Sequence, residues 1–301
     1  MRLKTARVST FIVIVIVGSV LYFVVATTNC ALHLDWWNGD VHPISRKPCI
    51  VRSLPAESLV RVYNSNIQFE DTGSLTYLSK LTHPVLRQRS CAVVGNSGIL
   101  LNSKCGEEIN SHDFVIRCNI PQVREFTRDV GYKTNLTIVF LKTMQNLHKY
   151  LYSTNMKIPL DLLDSLRFLN DSIVWYPVAN SSSIADIHYL KSKYNLKFQF
   201  AISTFQKMTL TVKRLFTLYG PPTTGLRAVT SALSFCDNVT VYGFYPDRFD
   251  SYGNEVPYHY YGKHKTIEDL HTFHNYPKEH AVFKFLNSTQ DLNLVTGQCT
   301  R

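Results

Sequence analysis

The chain has 301 residues, with 32 Lys+Arg against 22 Asp+Glu for a net charge of +10, and 45% of its residues are apolar. This composition excludes a disordered or collagen-like chain. Seven cysteines with no CxxC pair and no C2H2 spacing exclude both a disulfide-dense mini-protein and a structural zinc module.

From Val8 to Ala26 no residue is charged, and Arg2, Lys4 and Arg7 precede this run while the first acid is Asp35. About 19 apolar residues at 1.5 Å rise can cross a ~30 Å hydrocarbon layer, and a basic flank stays on the cytosolic side. The segment predicts a cytoplasmic tail over 1–7, a transmembrane helix acting as signal anchor over 8–28, and a lumenal remainder, a single-pass type II arrangement. A cleaved signal peptide is the rival, and the run exceeds the usual 7 to 15 residues of one. Five Asn-x-Ser/Thr sequons, at Asn135, Asn170, Asn180, Asn238 and Asn287, fit a secretory route.

Residues 29–85 carry scattered prolines (Pro43, Pro48, Pro55, Pro84) and no long periodic run, which predicts a stem ahead of a folded lumenal domain over 86–301. That domain opens with Cys91 to Gly95, a short apolar run suited to a buried strand. The turn Asn96-Ser97-Gly98, a short helix within 99–109 and a second strand over Asp113–Cys118 follow. Strand, Gly-bearing turn, helix and strand in this order begin an α/β nucleotide-binding layer. The rhythm returns where Leu226, Val229, Leu233 and Cys236 mark one helix face after Thr223-Thr224-Gly225, with a strand over Val239–Phe244. Between the two, Lys191, Lys193, Lys197, Lys207, Lys213 and Arg214 form a basic stretch without an acid. Such a stretch is either a solvated face or a groove for an anionic polymer; no nucleic-acid motif accompanies it.

The Gly95-Asn96-Ser97-Gly98 turn is neither GxGxxG nor a P-loop, and Ser97 is not framed as GxSxG, which argues against dinucleotide, P-loop and serine-hydrolase chemistry. No Asp-x-Asp occurs, so the carboxylate pair that commonly holds a divalent ion beside a nucleotide sugar is missing and a metal-free mechanism is favoured. Five of the 11 histidines fall between residues 259 and 280 (His259, His264, His271, His274, His280). Only His271 and His274 have suggestive ligand spacing; the alternatives are acid-base work, for which an imidazole with a pKa near 6.5 suffices, and plain structural roles.

Four segments, CAVVGNSGILLNSKCGEEINSHDFVIRCN (91–119), GPPTTGLRAVTSALSFCDNVTVYGFYP (220–246), VPYHYYG (256–262) and HNYPKE (274–279), resemble in order and spacing the large, small, third and very small sialylmotifs of animal sialyltransferases, glycosyltransferase family 29. CAVVGNSGILL and YHYY are most similar to the α2,8-sialyltransferase branch. The resemblance implies a single α/β/α sandwich of the GT-A-like, Rossmann-like kind with a mostly parallel seven-stranded sheet. It also implies a Golgi location, CMP-sialic acid as donor, a sialylated glycoprotein or glycolipid as acceptor, and no cofactor or metal.

Carried over by motif, Asn96 and Asn119 would contact CMP, Thr223, Thr224 and Gly225 would line the donor pocket, and Tyr245, Tyr258 and His259 would complete the nucleotide side. His274 would be the catalytic base on the acceptor hydroxyl, with His259 stabilising the departing phosphate. The family pattern pairs Cys91 with Cys236 and Cys105 with Cys299; Cys118, on an expected strand, reads as a buried thiol, and Cys30 and Cys49 in the stem are available to pair between chains in a homodimer. Departures from the pattern are Gly262 in place of a common acid, Tyr245 in place of a frequent Trp, and Asn-Tyr-Pro after His274. The charge of the 191–214 stretch is below that of polysialylating members, which points to short α2,8 transfer. Two alternatives stand beside this reading: α2,3- or α2,6-transfer to galactose or N-acetylgalactosamine, and a catalytically silent homologue that binds sialoglycans.

Overall fold

The computed structural model describes the backbone of residues 10–17, 20–27 and 30–31, and residues 60–63, 82–177, 181–202, 221–263, 265–266 and 274–299. The chain divides into two compact units, Met1–Ser53 and Leu54–Arg301.

In the first unit, β1 (Thr10–Val17) and β2 (Val20–Thr27) pair antiparallel from Val17↔Val20 to Thr10↔Thr27, and β3 (Cys30–Ala31) extends the second strand's far edge. The transmembrane helix expected over 8–28 is not shown by these strands. Val and Ile dominate the segment, and β-branching stiffens χ1 in a way that favours a pleated strand over a helix, with Gly18-Ser19 separating the two runs. No helix among the described residues is long and apolar enough to cross a membrane.

The second unit is built on one sheet. Its strands are β4 (Arg61–Tyr63), β5 (Thr82–Pro84), β6 (Gln88–Val94), β7 (Phe114–Cys118), β8 (Leu136–Ile138), β9 (Ile173–Tyr176), β10 (Gln199–Ile202), β11 (Cys236–Tyr242) and β12 (Asn293–Val295). They lie in the order β12-β11-β6-β7-β8-β9-β10-β4-β5. Every pairing from β12 to β10 is parallel, while β4 and β5 add an antiparallel edge. The sheet therefore has nine strands instead of the expected seven: seven are parallel, and the extra pair comes from the segment read as stem. The α/β class is as expected. Buried on both faces, the parallel strands read as continuous apolar runs (CAVV, FVI, IVWY) without alternation.

Among the described residues the α-helices are α1 (Gly106–Ser111), α2 (Thr127–Val130), α3 (Leu141–Tyr152), α4 (Leu160–Phe168), α5 (Ser181–Tyr194), α6 (Thr224–Phe235) and α7 (Tyr276–Ser288). One core, with Met144, Leu147, Leu166, Ile187, Leu190, Val174 and Phe200, joins α3, α4 and α5 to the β9–β10 part of the sheet. A second, with Ala92, Val94, Ile109, Val115 and Tyr242, seats α1 on the centre of the sheet. There α6 is almost wholly buried, and its Phe235 meets Phe114 of β7 edge-on at 5.8 Å.

Disulfides Cys91–Cys236 and Cys105–Cys299 are present, and Cys118 is a buried free thiol. Cys49 and the side chain of Cys30 lie outside the described residues. The bridges span 145 and 194 residues of sequence. The first crosses the β6–β11 pair, in register with Ser90↔Asn238 and Val94↔Tyr242; the second ties the C-terminal tail to α1.

Loop-closure entropy for links of this length gives roughly 5 kcal/mol each, an upper figure for native bridges. Replacing Cys105 and Cys299 together by Ser is expected to lower the unfolding free energy by a few kcal/mol, read as a lower guanidinium midpoint, without changing secondary structure near neutral pH. An unchanged midpoint would show the tail bridge to be energetically idle.

Candidate active site

The chain runs outward from β6 to β7, β8, β9 and β10 on one side and returns to β11 and β12 on the other. The order thus reverses between β6 and β11. At such a switch point the loops leaving adjacent strand C-termini diverge and open a crevice, the usual ligand position of an open parallel sheet. A cavity of about 420 Å³ lies here. It is lined by the turns after β6 (Gly95, Asn96, Ser97), β7 (Cys118, Asn119) and β11 (Gly243 to Pro246), by the starts of α3, α6 and α7, and by Tyr258 and His259.

The β6 and β11 turns interlock. Gly95 N–H donates to the Tyr242 carbonyl at 2.8 Å and Ser97 N–H to that of Gly243 at 3.1 Å. A Cβ on Gly95 would stand 2.4 Å from the Gly243 oxygen, so only glycine permits this approach. Asn96, 9% exposed, is held by Nδ2 donating to the Cys118 carbonyl at 3.0 Å, and its own carbonyl accepts from Tyr260 N–H at 2.9 Å. Asn119 adopts φ 62°, a left-handed turn that Asn tolerates, and its Oδ1 accepts from Thr143 Oγ1 at 3.2 Å. Asn96 and Asn119 thus face one cavity from neighbouring strand ends.

On the opposite wall Thr223 caps α6, its Oγ1 accepting from Leu226 N–H at 3.0 Å. Glu279, only 4% exposed, accepts from Thr223 N–H at 2.8 Å through Oε1 and from Thr223 Oγ1 through Oε2. Burial raises the Glu279 pKa, and the two Thr223 bonds, with His274 and Arg227 nearby, pull it back. Arg227, buried behind this wall, donates from Nε to the Pro222 carbonyl at 3.3 Å and stacks over Phe140 at 5.0 Å. Desolvation lowers its pKa to about 10, still a cation at neutral pH. Gly225 is required for contact as well, since a Cβ there would lie 2.3 Å from the Phe244 ring.

His274 precedes α7, whose N-cap Asn275 accepts from Lys278 N–H at 3.0 Å. Its Nδ1 lies 2.9 Å from the Pro221 carbonyl oxygen. A carbonyl only accepts, so Nδ1 carries the hydrogen and the lone pair of the neutral ring sits on Nε2. Beside it Tyr276 Oη and Tyr258 Oη share a hydrogen bond of 2.9 Å. His259 stacks between Tyr258 (4.3 Å) and Tyr261 (5.3 Å), and desolvation among these rings lowers its pKa to about 4. It is therefore a neutral hydrogen-bonding group near pH 7. Tyr245 lines the cavity too, with its hydroxyl donated to the Phe249 carbonyl at 3.0 Å.

All nine residues singled out for donor binding or catalysis (Asn96, Asn119, Thr223, Thr224, Gly225, Tyr245, Tyr258, His259, His274) line this one cavity. Glu279 lay inside a quoted motif but received no role there. Phe140, Lys142 and Thr143, at the start of α3, belong to no motif and were missed. His264 and His271 fall outside the described residues, as do Lys207, Lys213, Arg214 and Asn180. Among the sequons, Asn135, Asn170 and Asn287 each accept a backbone N–H (from Val115, Lys197 and Leu294), and Asn238 donates to the Arg89 carbonyl. Among the described residues no group of three or more His, Cys, Asp or Glu could hold a metal ion.

Fold and cavity define a doubly wound α/β protein with a polar and aromatic crevice at its switch point. The comparisons narrow this class: the family model Glycosyltransferase family 29 (sialyltransferase) matches residues 60–290, and the chain belongs to that family. It is 31% identical over 228 residues to an alpha-N-acetylneuraminide alpha-2,8-sialyltransferase of Xenopus tropicalis, which covers 71% of this chain and 62% of that protein. It is 33% identical over 232 residues to the protein of the same name from Xenopus laevis, covering 71% and 60%. The chain thus spans about three fifths of the length of these curated relatives. A crystal structure of a mammalian sialyltransferase shares the fold at a TM-score of 0.50, with 24% identity over 70% of each chain.

The lowered His259 pKa carries a sign. Its unfolded value is near 6.5, so between pH 6.5 and about 4 the unfolded chain binds the extra proton, and stability falls as pH falls through that window. His259→Gln is expected to flatten this slope by an order of 1–3 kcal/mol across the window in urea unfolding. An identical slope in the variant would mean that the imidazole is solvated.

Proposed function

We propose that the protein transfers sialic acid from CMP-sialic acid to the 8-hydroxyl of a terminal sialic acid on a glycoprotein or glycolipid glycan. The observation that carries this reading is the convergence of all nine motif-assigned residues on one cavity, with His274 oriented by Pro221 so that Nε2 is its basic nitrogen. In the proposed step the acceptor oxygen attacks the anomeric carbon of the donor and loses its proton to His274 Nε2. The bond from that carbon to the phosphate oxygen breaks, and CMP leaves with the electron pair. One in-line displacement inverts the anomeric centre. Negative charge grows on the phosphate as the bond breaks, and a neutral His259 N–H and the Tyr258 hydroxyl stabilise it by hydrogen bonding inside a partly dry cavity.

The reading is metal-independent: sialate is activated by its phosphate ester, and the sequence has no Asp-x-Asp pair. The names of the two Xenopus relatives support the α2,8 linkage. Two disulfides and five sequons support a secretory compartment, which we assign to the Golgi lumen, with acceptors that reach the protein there.

The test is a transfer assay with CMP-sialic acid and matched sialylated and unsialylated acceptors, with and without EDTA. Transfer to sialylated acceptors only, insensitive to EDTA, is expected. His274→Ala is expected to reduce kcat by at least 10²-fold while CMP affinity is kept. Transfer to galactose-terminated acceptors would replace the linkage, and CMP binding without any turnover would make the protein a silent sialoglycan binder.

A further inference from the structure

Four of the five sequons lie within the described residues, and all four stand at one edge of the sheet. Asn135 directly precedes β8, Asn170 falls in the turn before β9, and Asn238 is near the start of β11. Asn287 lies in the last turn of α7, where it meets β12. Every pairing from β12 to β10 is parallel, so these positions share the edge at which the strands begin. The crevice opens at the other edge, on the turns that follow β6, β7 and β11. α7 gives the separation: Tyr276 at its start lines the crevice, and Asn287 lies about 16 Å farther along the helix axis.

Each of these amides links its own segment to a neighbouring strand, and they do so in two ways. Asn135 Oδ1 accepts from Val115 N–H of β7, Asn170 Oδ1 from Lys197 N–H ahead of β10, and Asn287 Oδ1 from Leu294 N–H of β12, each at 2.8 Å. An amide held by its oxygen turns its nitrogen away from that contact. Asn287 is exposed; Asn135 and Asn170 are half-buried, yet neither amide nitrogen is a buried atom without a partner, so both reach the surface. Asn238 is reversed: its Nδ2 donates to the Arg89 carbonyl of β6 at 3.0 Å, across the strand pair that Cys91–Cys236 ties.

We infer that Asn135, Asn170 and Asn287 carry N-linked glycans in the folded protein and that Asn238 does not, so that the sugars coat the edge of the sheet opposite the crevice. In the modification Nδ2 attacks the anomeric carbon of a polyprenyl-diphosphate-linked oligosaccharide. The bond from that carbon to the diphosphate oxygen breaks, the diphosphate leaves with the electron pair, and Nδ2 gives one of its two protons to a base of the modifying transferase. The product keeps Oδ1 as an acceptor, so the three oxygen-held amides retain the bonds that the fold uses. At Asn238 the sugar is joined to the atom that makes the contact, and its bulk pushes against Arg89 and the start of β6. Sugars are added to the unfolded chain, so the fold decides which modified chains become native protein. This assignment rests on the secretory reading and goes beyond it by choosing among the sequons; Asn180 lies outside the described residues and is not assigned.

The experiment maps the wild-type full chain, produced in an animal secretory pathway and purified folded. Release of the glycans by peptide-N-glycosidase in heavy-oxygen water converts each modified Asn to a labelled Asp, read by peptide mass spectrometry. Label is expected at Asn135, Asn170 and Asn287 and absent at Asn238. Asn→Gln at each of the first three positions is expected to remove one step from the gel ladder of a partial deglycosylation, and Asn238→Gln to remove none.

Label at Asn238 equal to that at the other three overturns the assignment. So does an unlabelled Asn135, Asn170 or Asn287 in a chain labelled elsewhere. Label at no sequon overturns the secretory reading, and this inference with it, so the two failures are told apart.

Discussion

The close approach of two glycine-bearing turns, Gly95 after β6 and Gly243 after β11, is the constraint on which the rest of the site depends. Parallel strands adjacent at a topological switch send their chains in opposite directions, and here the two turns touch before they part, through N–H bonds from Gly95 and Ser97. Any side chain on Gly95 would collide with the Gly243 carbonyl. The Cys91–Cys236 bridge fastens the same pair of strands at the far end, so their relative position is held covalently and by the ladder between. Asn96 and Tyr245 lie one and two residues beyond these glycines and inherit their positions from them.

The second wall is assembled by one buried carboxylate. Glu279 sits in the first turn of α7, where the helix dipole tolerates an acid, and its two oxygens receive both hydrogen-bonding groups of Thr223. The arrangement couples three things in one contact: the cap of α6, the start of α7, and the loop whose Pro221 carbonyl orients His274. Moving the carboxylate would therefore disturb Thr223 and the loop that orients His274 together. The histidines divide by environment. His259 is enclosed by aromatic rings and kept neutral, while His274 lies half-buried at the rim with a backbone acceptor fixing its tautomer. Environment thus sets the two imidazoles of one crevice apart.

Much of this was legible in the residues. Short apolar runs at Cys91–Val94 and Phe114–Ile116, separated by a glycine turn, announce parallel strands buried on both faces; Leu226, Val229 and Leu233 are buried on α6, while Cys236, read on the same helix face, opens β11. The motif segments lie far apart in sequence, and the sheet order carries them to one edge. Two features were not legible for physical reasons. Strands β4 and β5 are three residues each and have no periodic signature; the pairing that defines them is tertiary. The run from Val8 to Ala26 satisfies the length and charge rules of a membrane helix and the β-branching rule of strands at once, so pattern alone does not separate them.

The start of α3 was illegible for a different reason. Phe140, Lys142 and Thr143 match no motif, and a lysine ahead of a helical pattern reads as a solvated surface residue. Its meaning is positional: β8 ends beside β7, so the helix that follows β8 must begin where Asn119 turns. A helix optimised for its own stability would place an acid or a capping side chain at this point, as α6 and α7 have capping side chains at theirs. α3 does neither: Phe140 offers no capping side chain, and the first turn carries no acid.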